Sequence, residues 1–305
     1  MLVSSTRSVT LALVGLLAVS VAWGSSFPLT KSVLERMSAM NFLALRYSMA
    51  AILMLVLFWP AVRRLGRTTL WRGTALGAVY ALGQIVQNVG LERTPASVSA
   101  FVTGMYVVLT PLCAAVLLKS KIGPRVWIGA LLAAAGLAAI ALNGLSIGVG
   151  EGLTLLSALI YALHIIGLGT WSTAKNALGL AVVQIAVIAL VVTVVAVIVE
   201  PSGVTLPTTG FDWTAIIYMA VIPGAAAMIV QSWAQAYLAP SRAAIIMSTE
   251  PVWAAGLSIA FLGEPLTWRI LLGGGLMLAA MLIVETGPRR TEDAPRPEEL
   301  PKWGA

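Results

Sequence analysis

Two ionisable groups stand alone inside long apolar runs of this chain: Glu250, immediately before Pro251, and His164, the only histidine. Covalent chemistry would ask for a nucleophile with a base, paired acids or several metal ligands, and neither group has such company in the sequence. The single cysteine, Cys113, permits neither a disulfide framework nor a Cys-based metal site within one chain. No enzyme, cofactor or metal is therefore expected, and the chemistry open to these groups is binding and proton carriage. A charge at the centre of a bilayer costs roughly 2.5–3.5 kcal/mol on insertion scales, so each such residue needs a partner. Glu250 reads as a substrate-ammonium or proton site, or as a protonated side chain bonded to backbone that Pro251 loosens. His164 shares a helix face with Tyr161, Leu168 and Trp171. That face suits either a cavity wall or packing with an interhelical hydrogen bond.

Uncharged polar residues extend the set. Tyr80, Gln84, Gln87 and Asn88 recur at i, i+4, i+7 and i+8, a stripe that must face protein or water rather than lipid. Gln231, Ser232 and Gln235 form a weaker counterpart that reads as glue between helices, and Phe101, Met105 and Tyr106 lie along one broad face. Arg46 and Arg269 fall near one membrane surface, where long side chains snorkel as anchors. The expected cavity set is thus Tyr80, Gln84, Gln87, Phe101, Met105, Tyr106, Tyr161, His164, Trp171, Gln235 and Glu250. It holds no cluster of Lys or Arg to grip a phosphate. A small zwitterion fits better, its carboxylate at helix N-termini or amide donors and its ammonium at Glu250 or at Tyr and Gln oxygens.

The elements that position these residues follow from composition. With 59% apolar and 10% charged residues and a mean hydropathy of +0.94, the chain is an integral membrane protein. Stretches of roughly 17–25 residues with few charges occur ten times, near 9–29, 40–59, 73–91, 95–118, 125–143, 152–171, 177–199, 213–238, 241–262 and 266–285. The period-two pattern of barrel strands is absent, so the expected fold is all-α, with ten transmembrane helices. Of the 19 Lys and Arg, fourteen fall in alternate short loops and termini and five (Lys31, Arg36, Arg46, Arg93, Arg269) on the other side. The positive-inside rule then puts both termini in the cytoplasm. The net charge of +7 reflects this loop bias and the anionic inner leaflet, not a nucleic-acid surface. Arg7 and the apolar run after it form a retained first helix, since Trp23-Gly24-Ser25-Ser26-Phe27 is a poor cleavage site. Residues 286–305, rich in Pro, Arg and Glu, are expected to be a disordered cytoplasmic tail.

The chain also reads as a duplication. Residues 94–142 and 239–284 each run through a Pro-containing turn, an apolar helix broken by Pro111 or Pro251, and a Gly-rich helix around Gly129 or Gly273. Carriers pair two such repeats around a midplane site. The division is 1–143, 144–285 and the tail 286–305.

Particular segments resemble those of a known family: Trp23-Gly24-Ser25-Ser26-Phe27 with Lys31, Asn41 to Tyr47, Gly90 to Ser97, Ser248-Thr249-Glu250-Pro251-Val252, and Leu262-Gly263-Glu264-Pro265-Leu266. In order and spacing they resemble EamA-type members of the drug/metabolite transporter superfamily over residues 10–285, and among these the bacterial YddG-like amino-acid exporters. The resemblance implies two inverted five-helix repeats around a central cavity, alternating access by rocking, and residence in the cell membrane, the inner membrane of a bacterium. It implies that Tyr80, Gln84, Phe101, Met105 and His164 line the cavity. Gln84, Met105 and His164 at these places suit a roomier, more polar site, hence export of neutral and aromatic amino acids with broad selectivity. The alternative is a drug or multidrug extruder of the same superfamily; a channel or receptor would want a filter motif or a soluble domain. The lipid bilayer and a small-molecule substrate are the expected partners, and the expected unit is a monomer.

Overall fold

The computed structural model describes residues 6–117, 123–143, 146–200, 203–238, 240–247 and 249–285; the tail 286–305 lies outside them. Runs of Ala, Leu, Val and Ile that must satisfy their own backbone away from water have one local solution, the helix. The helices are α1 (Thr6–Leu34), α2 (Ala39–Arg63), α3 (Arg67–Leu91), α4 (Ala96–Thr103), α5 (Tyr106–Leu117), α6 (Pro124–Ala141), α7 (Val149–Trp171), α8 (Ala177–Val199), α9 (Gly210–Met219), α10 (Ala227–Ala234), α11 (Pro240–Met247), α12 (Glu250–Leu262) and α13 (Trp268–Glu285). A π-helical turn, Ala220–Ala226, joins α9 to α10. Each apolar stretch read from the sequence is helical over most of its length. The one addition is a minimal antiparallel pair, β1 (Leu142–Asn143) with β2 (Ser146–Ile147), which does not alter the helical architecture.

Among the described residues, six segments are long and apolar enough to cross a membrane: Ser8–Leu34, Ala39–Arg63, Ala96–Leu117, Val149–Trp171, Ala177–Val199 and Gly210–Ala234. Shorter apolar helices lie within α6, α12 and α13. α3 has the length, but its amides and arginines dilute its apolar character. Phe261 and Ile198 stay 77% and 75% exposed, a liability in water that a bilayer removes.

Three predicted helices are interrupted, and the interruptions concern the site. The first falls at Gly104–Met105, between α4 and α5, not at Pro111, which sits inside α5. Losing one bond to Pro111 does not end the helix, whereas Gly104 lies so close to the Pro251 ring that a Cβ there would come within 2.8 Å of Pro251 Cγ. The second falls just before Glu250, so that Pro251 occupies the opening turn of α12, where its missing N–H costs nothing. The two interruptions therefore face each other. The third is the π turn, at Pro223.

Packing runs between the halves: α2 lies on α8, α3 on α7 and α8, α6 on α13, and α1 on α10 and α12. Phe42, Leu43 and Tyr47 of α2 and Ile185 and Ile188 of α8 are fully buried. Glycines set the distances. Gly73 and Gly77 let α3 meet Val183 and Gln184 of α8, and a Cβ on Gly136 of α6 would strike the Gly273 carbonyl of α13.

Candidate functional site

The polar stripe of α3 is buried and turns inward. Tyr80 packs tilted against Tyr161 and edge-on to His164 of α7, with ring centroids 5.3 and 4.9 Å away. This is possible because Gly83 has no side chain; a Cβ there would lie 2.6 Å from the Tyr161 ring. The Tyr161 hydroxyl donates to Gln87 Oε1 at 2.8 Å and accepts from Gln84 Nε2. Gln87 Nε2 continues to Thr103 Oγ1 of α4 at 3.1 Å. Asn88 Nδ2 bonds the Gln84 carbonyl, 2.8 Å away, within its own helix.

On the far side of the ring cluster, His164 Nε2 donates to Gln184 Oε1 of α8 at 2.8 Å. That direction follows from the amide, whose Nε2 is already directed at the Leu180 carbonyl. Glu250, 5% exposed at the N-terminus of α12, accepts from the Tyr106 hydroxyl at 3.3 Å. The helix dipole favours an anion there.

These groups line one cavity, to which helices of both halves contribute. Of the residues expected to line it, Tyr80, Gln84, Gln87, Tyr106, Tyr161, His164 and Glu250 do so. Four do not. Phe101 packs against Gly274 of α13, and Met105 is buried in the core at the α4–α5 interruption. Trp171 lies at the far end of α7 with the Arg72 guanidinium 5.7 Å over its ring. Gln235 Nε2 donates to the Ile165 carbonyl, tying the end of α10 to α7.

The structure adds lining that the sequence reading did not assign. α1 contributes Trp23, Ser26, Phe27 and Thr30, and α10 contributes Gln231. The signal for α1 was present, since paired serines in an apolar run need a reason. Arg46 is the larger correction. Expected to snorkel at a surface, it is 5% exposed and lines the cavity from α2. Its Nε is held by the Met219 carbonyl, at the junction of α9 and the π turn. Arg269, the other expected anchor, donates through Nε to the Ala139 carbonyl at 2.8 Å.

The cavity runs from His164 and Gln231 to the ends of α1 and α3, where Thr30 and Leu91 line it. At that mouth Lys31 Nζ bonds the Leu91 and Glu92 carbonyls at 2.8 and 3.2 Å. Beyond it Arg36 pairs with the buried Asp212 at 2.6 Å, and this hydrogen bond raises the guanidinium pKa above its ordinary value. Glu264 accepts from Ala96 N and Ser97 N at 2.7 and 3.1 Å, capping α4. Towards the opposite end the second half is tied to itself by the Gln235 bond, by Ser172 Oγ donating to the Ser232 carbonyl at 2.6 Å, and by Pro240 seated on Gly169.

A helical bundle whose two halves line one polar cavity is what a carrier needs, and comparison with known proteins gives the family. The model of the EamA-like transporter family matches residues 10–142 and again 148–286. The chain belongs to the EamA-like transporter family. An "uncharacterized transporter" of Archaeoglobus fulgidus is 31% identical over 279 residues, covering 88% of this chain and 84% of that one. A crystal structure with 14% identity superposes with a TM-score of 0.69 over 90% of this chain and 96% of its own, a likeness of fold. This EamA-like transporter is a multi-pass membrane protein of the drug/metabolite transporter superfamily.

Proposed function

We propose that this chain is a ten-pass carrier that exports amino acids, neutral and aromatic with broad selectivity, by alternating access around the cavity of Tyr80, Gln84, Gln87, Tyr106, Tyr161, His164 and Glu250. Its two five-helix halves are inverted repeats, with both termini in the cytoplasm. The carrying observation is the cavity itself, built by helices of both halves and lined by one carboxylate, an imidazole, amides and three tyrosines. Those groups suit an ammonium and a side chain that stacks on rings, and they offer no cluster of cations for a phosphate.

The repeat reading draws support from reciprocal packing. α3 of the first half lies on α7, the first helix of the second; α10, in the third position of the second half, lies on α1. The second helices α2 and α8 pair with each other, as do the fifth helices α6 and α13. A two-fold exchange of the halves leaves these pairings unchanged. Under this reading the Lys31 mouth is external, and rocking of the halves opens the Gln235 end in its turn.

Counterflow of labelled amino acids into proteoliposomes tests the reading, with Tyr80→Ala and His164→Ala beside the wild type. Saturable uptake that both substitutions abolish is expected. No counterflow for any amino acid would overturn the substrate class and turn the search to lipophilic drugs.

A further inference from the structure

The amino-acid reading gives the ammonium an acid, Glu250, but leaves the substrate carboxylate to amides and helix ends. We propose that Arg46 is the carboxylate-binding residue of the cavity, and that Arg46 and Glu250 together select α-amino acids over amines and over acids that lack an amine. This rests on the carrier reading above and adds the determinant of its selectivity.

Arg46 is built into its place. Nε donates to the Met219 carbonyl at 3.2 Å. Four residues on from Met219 stands Pro223, which has no N–H to return an α-helical bond to that carbonyl. The guanidinium also lies over the rings of Tyr47 and Phe42, 5.1 and 5.8 Å from their centroids. Held through Nε and set beside two rings, the guanidinium lines the cavity, and its two terminal amino groups have no acceptor among the described residues. No carboxylate there forms an ion pair with it, the pairs of Arg36 and Arg93 being elsewhere.

A buried cation without a counter-ion is costly in a membrane protein. Glu250 lines the same cavity, and among the described residues its carboxyl group bonds only Tyr106. A guanidinium and a carboxyl group held apart in one cavity are matched by a ligand carrying both a carboxylate and an ammonium. A single planar fork takes one carboxylate through two parallel hydrogen bonds, which a lysine cannot reproduce. Gln84 Oε1 and Gln231 Oε1 are buried acceptors without a partner among the described residues, and both residues line the cavity. With Glu250 they supply acceptors for the three N–H groups of an ammonium. Both charges are fixed on the backbone of an α-amino acid whatever its side chain, which fits broad selectivity.

The test is competition against counterflow of labelled phenylalanine and leucine in proteoliposomes. The competitors are the decarboxylated analogues, phenethylamine and isoamylamine, and the acids without an amine, phenylpropionate and isocaproate. On the wild type each is expected to compete at least about tenfold more weakly than the parent amino acid. Arg46→Gln is expected to lower amino-acid counterflow by about tenfold or more and to abolish the preference over the amines while leaving that over the acids. Arg46→Lys, which keeps the charge and so guards against a folding defect, is expected to fall between the two. Counterflow with equal competition by amines on the wild type, or an unchanged preference in Arg46→Gln, overturns the role of Arg46 and leaves the carrier reading standing. Absence of counterflow for both amino acids on the wild type overturns both.

Discussion

At the scale of single residues, the cavity depends on groups that each serve two partners. The Tyr161 hydroxyl joins Gln84 and Gln87, so Tyr161→Phe leaves two buried amides short of a bond, at about 1–3 kcal/mol each before relaxation. Thermal unfolding in detergent is expected several degrees below the wild type, with a raised KM in counterflow; unchanged values of both would show that the amides find other partners. Glu250→Gln keeps an acceptor for Tyr106 but removes the charge. A KM raised by about tenfold, or about 1.4 kcal/mol of lost binding, is expected with little change in unfolding temperature. The same variant reads proton coupling, since a pH dependence of flux identical to the wild type would exclude Glu250 from it. Both residues were legible in the sequence as polar groups in apolar runs. The role of Arg46 was not, because sequence spacing gives the depth of a side chain in a helix but not which neighbour covers it.

At the scale of elements, the site is set by where helices stop and how closely they approach. Pro251 could be read from the sequence as a helix breaker, but the facing interruption at Gly104 could not, since only contact with Pro251 gives that glycine its purpose. Gly83 is similar: its cost as a helix residue is offset by a Tyr161 ring lying where its side chain would be. Gly83→Val is expected to push that ring into the cavity and to reduce counterflow by more than tenfold. Combined with Tyr161→Ala, it should add far less than its effect alone, because the atoms that clash are gone. Full additivity would mean that Gly83 acts through something other than this ring.

At the scale of the whole molecule, a set of polar ties frames the Lys31 mouth. Arg36 with Asp212 joins the α1–α2 connection to α9, Glu264 joins the α12–α13 connection to α4, and Lys31 joins α1 to α3. Two of these ties cross from one half of the chain to the other. Asp212→Asn should therefore let the halves part further at that mouth. With Cys113 replaced by Ser and a cysteine placed at Thr103, labelling by a membrane-impermeant maleimide is expected to run severalfold faster in Asp212→Asn. An equal or slower rate would remove the pair from gating.

The amino-acid sequence by itself determined that this chain is helical and membrane-embedded, because long apolar runs must satisfy their own hydrogen bonds, and that constraint is local. It also determined that Glu250, His164 and the α3 stripe are buried from lipid, because the cost of exposing them there is a property of each residue. Only the tertiary structure decided that Arg46 turns inward, that Phe101, Met105, Trp171 and Gln235 lie away from the cavity, and that α1 lines it. Those outcomes depend on which helix faces which, and that is settled by non-local contacts such as Gly104 on Pro251 and Gly83 on Tyr161, between residues far apart in the chain.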